Sequence, residues 1–86
     1  MNVLIIDDHH VVRKGLIFFL KTQKDIHIVG EGSTGEEAIK LTEQCMPDLI
    51  LMDLDMPDMN GIEATKAIRK KFPQVKILIL TSYSDQ

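Results

Sequence analysis

The chemistry-capable oxygens in this sequence stand where apolar runs stop. Asp7 and Asp8 follow "VLII", Asp53 closes "LILM" with Asp55 two positions on, and Thr81 follows "KILIL". Carboxylates drawn close together raise one another's pKa values unless a positive charge sits between them, and an oxygen-rich acidic site suits Mg²⁺. A carboxylate beside such an ion can attack phosphorus and become an aspartyl phosphate, the ion neutralising charge on the phosphoryl oxygens. Asp53 ends the most apolar run and is the best candidate nucleophile, while Thr81 can offer a hydroxyl to a phosphoryl oxygen.

These residues meet only if the runs behind them are neighbouring strands. Val3 to Ile6 is unbroken and rich in β-branched residues, the pattern of a strand buried on both faces. From Val11 to about Thr22 the period changes to a helical one, with Val12, Leu16 and Phe19 or Leu20 on one face and Asp8 or His9 available as a cap. "IHIVG", 26 to 30, reads as a second strand. Ser33 and Glu36 then show capping-box spacing before a helix lined by Ala38, Leu41 and Cys45, and Pro47 closes the unit. Asp48 to Asp53 is the third strand. Asn60 and Glu63 signal a helix from Gly61 to Lys71, ended by Phe72 and Pro73, and Val75 to Leu80 is the fourth strand. Strands alternating with helices predict an α/β domain with a parallel sheet, helices on both faces and right-handed crossovers. Ligands of such folds bind outside the carboxyl ends of the strands, where the acidic residues stand.

Composition narrows the function classes. With 44% hydrophobic and 27% charged residues, the 86-residue chain has the balance of one folded domain, and a net charge of -3 gives no electrostatic reason to bind nucleic acid directly. The single cysteine, Cys45, cannot close an internal disulfide, and no apolar run is long enough to span a bilayer, so a cytoplasmic protein is expected. His9 and His10 are adjacent and should point apart, a poor chelate. His27 is expected to be structural, and Asp58 a solvated loop residue. Arg69, Lys70 and Lys71 suit a helix C-terminus, and Met46, Met52, Met56 and Met59 suit core and loop packing better than a soft-metal site.

The acidic pair in "IIDDHH", the Asp followed by a Met-Pro and Gly loop in "MDLDMPDMNG", and the hydroxyl in "ILTS" together resemble the receiver domain of two-component response regulators. "DDHHVVRKGL" looks like the branch whose receivers precede a LuxR-type DNA-binding domain. The resemblance implies a doubly wound, flavodoxin-like sheet of strand order 2-1-3-4-5, with Asp53 as phospho-acceptor. It also implies Mg²⁺ held by Asp8, Asp53 and the backbone carbonyl of Asp55, with Asp7 acting through water, and Thr81 as the switch hydroxyl. A sensor histidine kinase is the implied partner, and DNA would be reached only through an effector domain that residues 1–86 do not include.

The family's pattern continues with a fourth helix, a fifth strand ending in a phosphate-contacting Lys, and a fifth helix. Residues 1–86 are therefore expected to be the N-terminal two-thirds of a receiver, an incomplete (βα)₃β unit whose fourth strand is an exposed edge prone to self-association. A receiver is consumed stoichiometrically and is not classed as an enzyme. A second reading is a Mg²⁺-dependent phosphohydrolase of the haloacid-dehalogenase type, since "LILMDLDMP" places Asp53 and Asp55 two apart after an apolar strand. Pro57 stands where that family has Thr or Val, and Asp7 and Asp8 would be left without a role. A third is a non-catalytic, dimerising fragment.

Overall fold

The structure, a computed structural model, describes residues 1–53 and 61–80. Asp55, Met56, Pro57, Asp58, Met59, Asn60 and Thr81 lie outside them, and with them the expected carbonyl ligand, the switch hydroxyl and the cap of the third helix.

The described elements alternate as expected: β1 (Asn2–Ile6), α1 (His10–Leu20), β2 (His27–Gly32), α2 (Gly35–Cys45), β3 (Leu49–Asp53), α3 (Gly61–Lys71) and β4 (Lys76–Leu80). Every strand pairing is parallel, and the sheet order is β2-β1-β3-β4. The interior strands β1 and β3 are the two most deeply buried, because only a strand paired on both edges and covered on both faces can bury an uninterrupted apolar run.

Strand alternation divides the core into two layers. Leu4 and Ile6 of β1 and Ile50 and Met52 of β3 face α2 and α3, meeting Ala38, Ala64 and Ile68. Val3, Ile5 and Leu51 face the other way, toward Ile17 of α1. Met52 is thus a core residue, as its setting in the strand suggested. Among the described residues, no helix is long and apolar enough to cross a membrane.

Two local features differ from the sequence reading, and the start of α1 selects one of its two alternatives. The second strand runs on to Gly32, two residues past its expected end, because Asp7 N–H donates to the Gly32 carbonyl (3.0 Å) and extends the β1–β2 ladder. Asp8 does not cap α1. His9 holds that position, with extended backbone and no side-chain hydrogen bond to the helix end.

The cap of α2 is shifted by one residue from the expected Ser33 and Glu36. Thr34 is the N-cap, its hydroxyl accepting from Glu37 N–H (3.0 Å), and Glu37 Oε1 accepts from Ser33 N–H (2.7 Å). Both frames have the same three-residue spacing, and burial decides between them. Starting the helix after Thr34 turns Ala38 and Thr42 into the core.

Thr34→Ala is expected to lower stability by about 1 kcal/mol in urea unfolding, the usual worth of an N-cap. The Glu37 share of this cap depends on pH. Its carboxyl is held below the ordinary glutamate range, first by the Ser33 backbone N–H, so its stabilisation is complete above that range and fades as pH falls through the lowered value. The gap in urea midpoint between the wild type and Glu37→Gln should therefore narrow on acidification below the ordinary glutamate value.

Candidate metal and phosphoryl site

The register between the two central strands builds the site. Val3 pairs with Leu49 and Ile6 with Met52, so the next residues, Asp7 and Asp53, lie side by side where the two strands end. Both carboxylates are buried, at 3% and 1% exposure, whereas Asp8 is more open. The expected convergence of Asp7, Asp8 and Asp53 is therefore realised, and one ligand atom from each, together with one from His9, lies within a 4.8 Å cluster.

The loop from β1 into α1 is held from two directions. His9 N–H donates to Asp7 Oδ1 (2.8 Å), and Arg13, one turn into α1, donates from Nη1 to the Asp7 carbonyl (2.6 Å). Arg13 Nε in turn donates to Glu31 Oε1 (2.8 Å), with Lys14 Nζ 3.3 Å from Oε2 of the same carboxylate. Glu31 is held below the ordinary range, chiefly by Arg13. This bracket ties the acidic loop to the end of β2.

His9 departs most from the sequence reading. Its Nδ1 is 3.1 Å from Asp7 Oδ1, 3.2 Å from Asp8 Oδ1 and 3.6 Å from Asp53 Oδ2. The imidazole is pushed above its ordinary pKa, first by the hydrogen bond to Asp7 and then by the charge of Asp8. His10 points elsewhere, its Nδ1 3.3 Å from Arg13 Nη2. The two histidines do diverge, as adjacent residues should, but the divergence leaves one of them among the carboxylates. The signal that could have found it is its position at the start of α1, directly after the acidic pair. Arg13 gave no such cue, since its role depends on the β1–β2 register.

The donor set fits a divalent cation. Three carboxylates from two adjacent strand ends supply hard oxygen donors at one point, two of them already taken out of bulk water. Mg²⁺ there would supply charge neutralisation for an incoming phosphoryl group.

Comparison with known proteins agrees with this geometry. The family model for the response regulator receiver domain matches residues 3–86. The chain belongs to the response regulator receiver family. It is 58% identical over 86 residues to the transcriptional regulatory protein YhcZ of Bacillus subtilis, covering 100% of this chain and 40% of that protein. It is 54% identical over 83 residues to the response regulator protein VraR of Staphylococcus aureus, covering 96% of this chain and again 40% of the relative. The chain thus spans about two-fifths of the length of these curated relatives.

Among solved structures, the response regulator domain of Thermotoga maritima CheB superposes with a TM-score of 0.92 at 35% identity, covering 100% of this chain and 63% of that one. A LuxR-family DNA-binding response regulator from Staphylococcus aureus gives 0.89 at 30% identity, covering 98% and 70%. The flavodoxin-like receiver fold expected from the sequence is therefore the observed one. The LuxR-type branch suggested by "DDHHVVRKGL" is that of the Staphylococcus aureus DNA-binding regulator.

Proposed function

We propose that this receiver is the phospho-accepting switch of a two-component system, taking a phosphoryl group on Asp53 from a sensor histidine kinase or a small phosphodonor. The observation that carries the reading is the buried Asp53 carboxylate at the end of β3, beside Asp7 and Asp8 from β1. Asp8 and Asp53 would hold Mg²⁺ directly, joined by the Asp55 carbonyl, and Asp7 through water. Thr81 would receive the phosphoryl oxygen as the switch hydroxyl.

In the transfer, an Asp53 oxygen attacks phosphorus as the bond to the donor nitrogen or oxygen breaks, and the aspartyl phosphate keeps the phosphoryl group until hydrolysis. The domain is consumed once per transfer, so the reading is a signalling protein and not an enzyme. Output would pass to a DNA-binding effector domain in a longer protein of the cytoplasm; a transcriptional regulatory protein and a DNA-binding response regulator are among the relatives. Self-association through β4, which pairs with β3 on one edge among the described residues, is part of the same proposal. The haloacid-dehalogenase reading gains nothing from the geometry, since it has no use for Asp7 and Asp8.

Incubation with acetyl phosphate and Mg²⁺ should add one phosphoryl group by intact mass, and omission of the metal should prevent it. A folded chain that gains no mass would overturn the proposal.

A further inference from the structure

Arg13 stands at the centre of the bracket around the acidic loop. Its guanidinium donates from Nη1 to the Asp7 carbonyl (2.6 Å) and from Nε to Glu31 Oε1 (2.8 Å), and its side chain is only 13% exposed. The carbonyl it holds belongs to the peptide that joins Asp7 to Asp8, so two of the three clustered carboxylates hang from one peptide plane. The other side of Asp7 is held as well, its N–H donating to the Gly32 carbonyl (3.0 Å). The ends of β1 and β2 are therefore bridged twice, once by the backbone and once by a side chain from α1. A lysine could not make the same bridge. An ammonium is a point charge on a flexible stem, whereas the planar guanidinium has several donors in a fixed fork and reaches a carbonyl and a carboxylate at once.

We propose that Arg13 is a positioning residue of the acidic site, clamped by Glu31 so that its guanidinium sets the Asp7–Asp8 peptide and with it the convergence of both carboxylates on Asp53. The proposal rests on the phospho-acceptor reading and adds to it a residue that touches neither the metal nor the phosphoryl group. Groups that orient metal ligands without binding the ion change metal affinity or activity by about 10–100-fold when removed. Asp53 comes from a different strand, so the loss should fall on metal affinity and not on transfer at saturating metal.

The test uses the full chain and compares Arg13→Lys and Arg13→Met with Lys14→Met, which removes the other cation on Glu31 and leaves the Asp7 carbonyl its donor. Circular dichroism checks folding, and Arg13→Lys carries the test should Arg13→Met fail to fold. Mg²⁺ affinity is measured by calorimetry, and phosphoryl uptake from acetyl phosphate by intact mass across metal concentrations. Exchange of the His9 N–H is followed by NMR in the metal-free chain, because its bond to Asp7 Oδ1 (2.8 Å) spans the turn that Arg13 holds. Both Arg13 variants should bind Mg²⁺ about tenfold more weakly, with the saturated rate of uptake little changed and the His9 N–H exchanging faster than in the wild type. Lys14→Met should match the wild type in all three measurements. Glu31→Gln, which keeps an oxygen for Arg13 Nε, should fall between them. Wild-type Mg²⁺ affinity and His9 protection in Arg13→Lys would overturn the role of Arg13 and leave the carboxylate site standing. Equal losses in Arg13→Lys and Lys14→Met would reduce Arg13 to one of two charges and overturn it too. A folded wild type that neither binds Mg²⁺ nor gains phosphoryl mass would overturn the phospho-acceptor reading on which the role depends.

Discussion

Leu4→Ala is expected to lower the unfolding free energy by about 3 kcal/mol, the middle of the range for a fully buried leucine. Leu4 has no exposed surface and sits in an interior strand, beneath α2. At about 0.05–0.15 kcal/mol per residue, a chain of this length has only roughly 4–13 kcal/mol to lose, so the urea midpoint should fall by a large fraction.

The same site allows a sharper test. The β1–β2 register shifts between Val3 and Leu4, so that Leu4 pairs with Gly30, and a Cβ added at Gly30 would stand 3.0 Å from Leu4 Cδ1. Gly30→Ala alone should therefore cost about 1 kcal/mol through overpacking. In the Leu4→Ala background the obstructing methyl is gone. The new methyl then fills part of the cavity, and Ala is also a better strand residue than Gly, so the second substitution should recover about 1 kcal/mol. A double-mutant cycle should thus show coupling of about 2 kcal/mol, whereas additive effects would mean that β1 and β2 shift apart to absorb the change.

The strand that carries this contact, β2, is also where sequence reasoning ran out. Strand identity and order of appearance were legible because β1 and β3 are unbroken apolar runs, a pattern that few other settings accommodate. The end of β2 was not legible. "GEG" carries no apolar periodicity, and its place in the sheet comes from a backbone bond to Asp7, 25 positions earlier in the chain. The cap of α2 was legible as a motif but ambiguous in frame, since Ser33 with Glu36 and Thr34 with Glu37 have identical spacing.

The acidic site divides in the same way. Asp7, Asp8 and Asp53 could be proposed together because each terminates an apolar run, and parallel pairing of β1 with β3 then brings them to one edge. His9 was set aside on a correct local argument, that adjacent side chains diverge. That argument does not say which of two diverging rings faces inward. The structure settles it, placing the His9 ring beside the carboxylates and the His10 ring beside Arg13.

Asp53→Ala is expected to abolish phosphoryl uptake at any metal concentration, and its comparison with Asp8→Ala separates acceptor from ligand. Both residues belong to one cluster, so both substitutions should weaken metal binding. At an effective dielectric of about 20, a carboxylate some 4 Å from an opposite unit charge is worth roughly 4 kcal/mol, and screening at the partly exposed Asp8 reduces this to an affinity loss of about 10–100-fold. Raising the metal concentration by that factor should restore uptake in Asp8→Ala. It cannot restore uptake in Asp53→Ala, because the oxygen that would bond to phosphorus is missing. Intact mass against metal concentration would therefore give a displaced curve for one variant and a flat line for the other. The wild-type adduct, as an acyl phosphate, should be released by hydroxylamine. A mass gain in Asp53→Ala that excess metal increases would place the acceptor elsewhere in the cluster. A flat line for Asp8→Ala would mean that its carboxylate has a part in the transfer that metal occupancy alone does not supply.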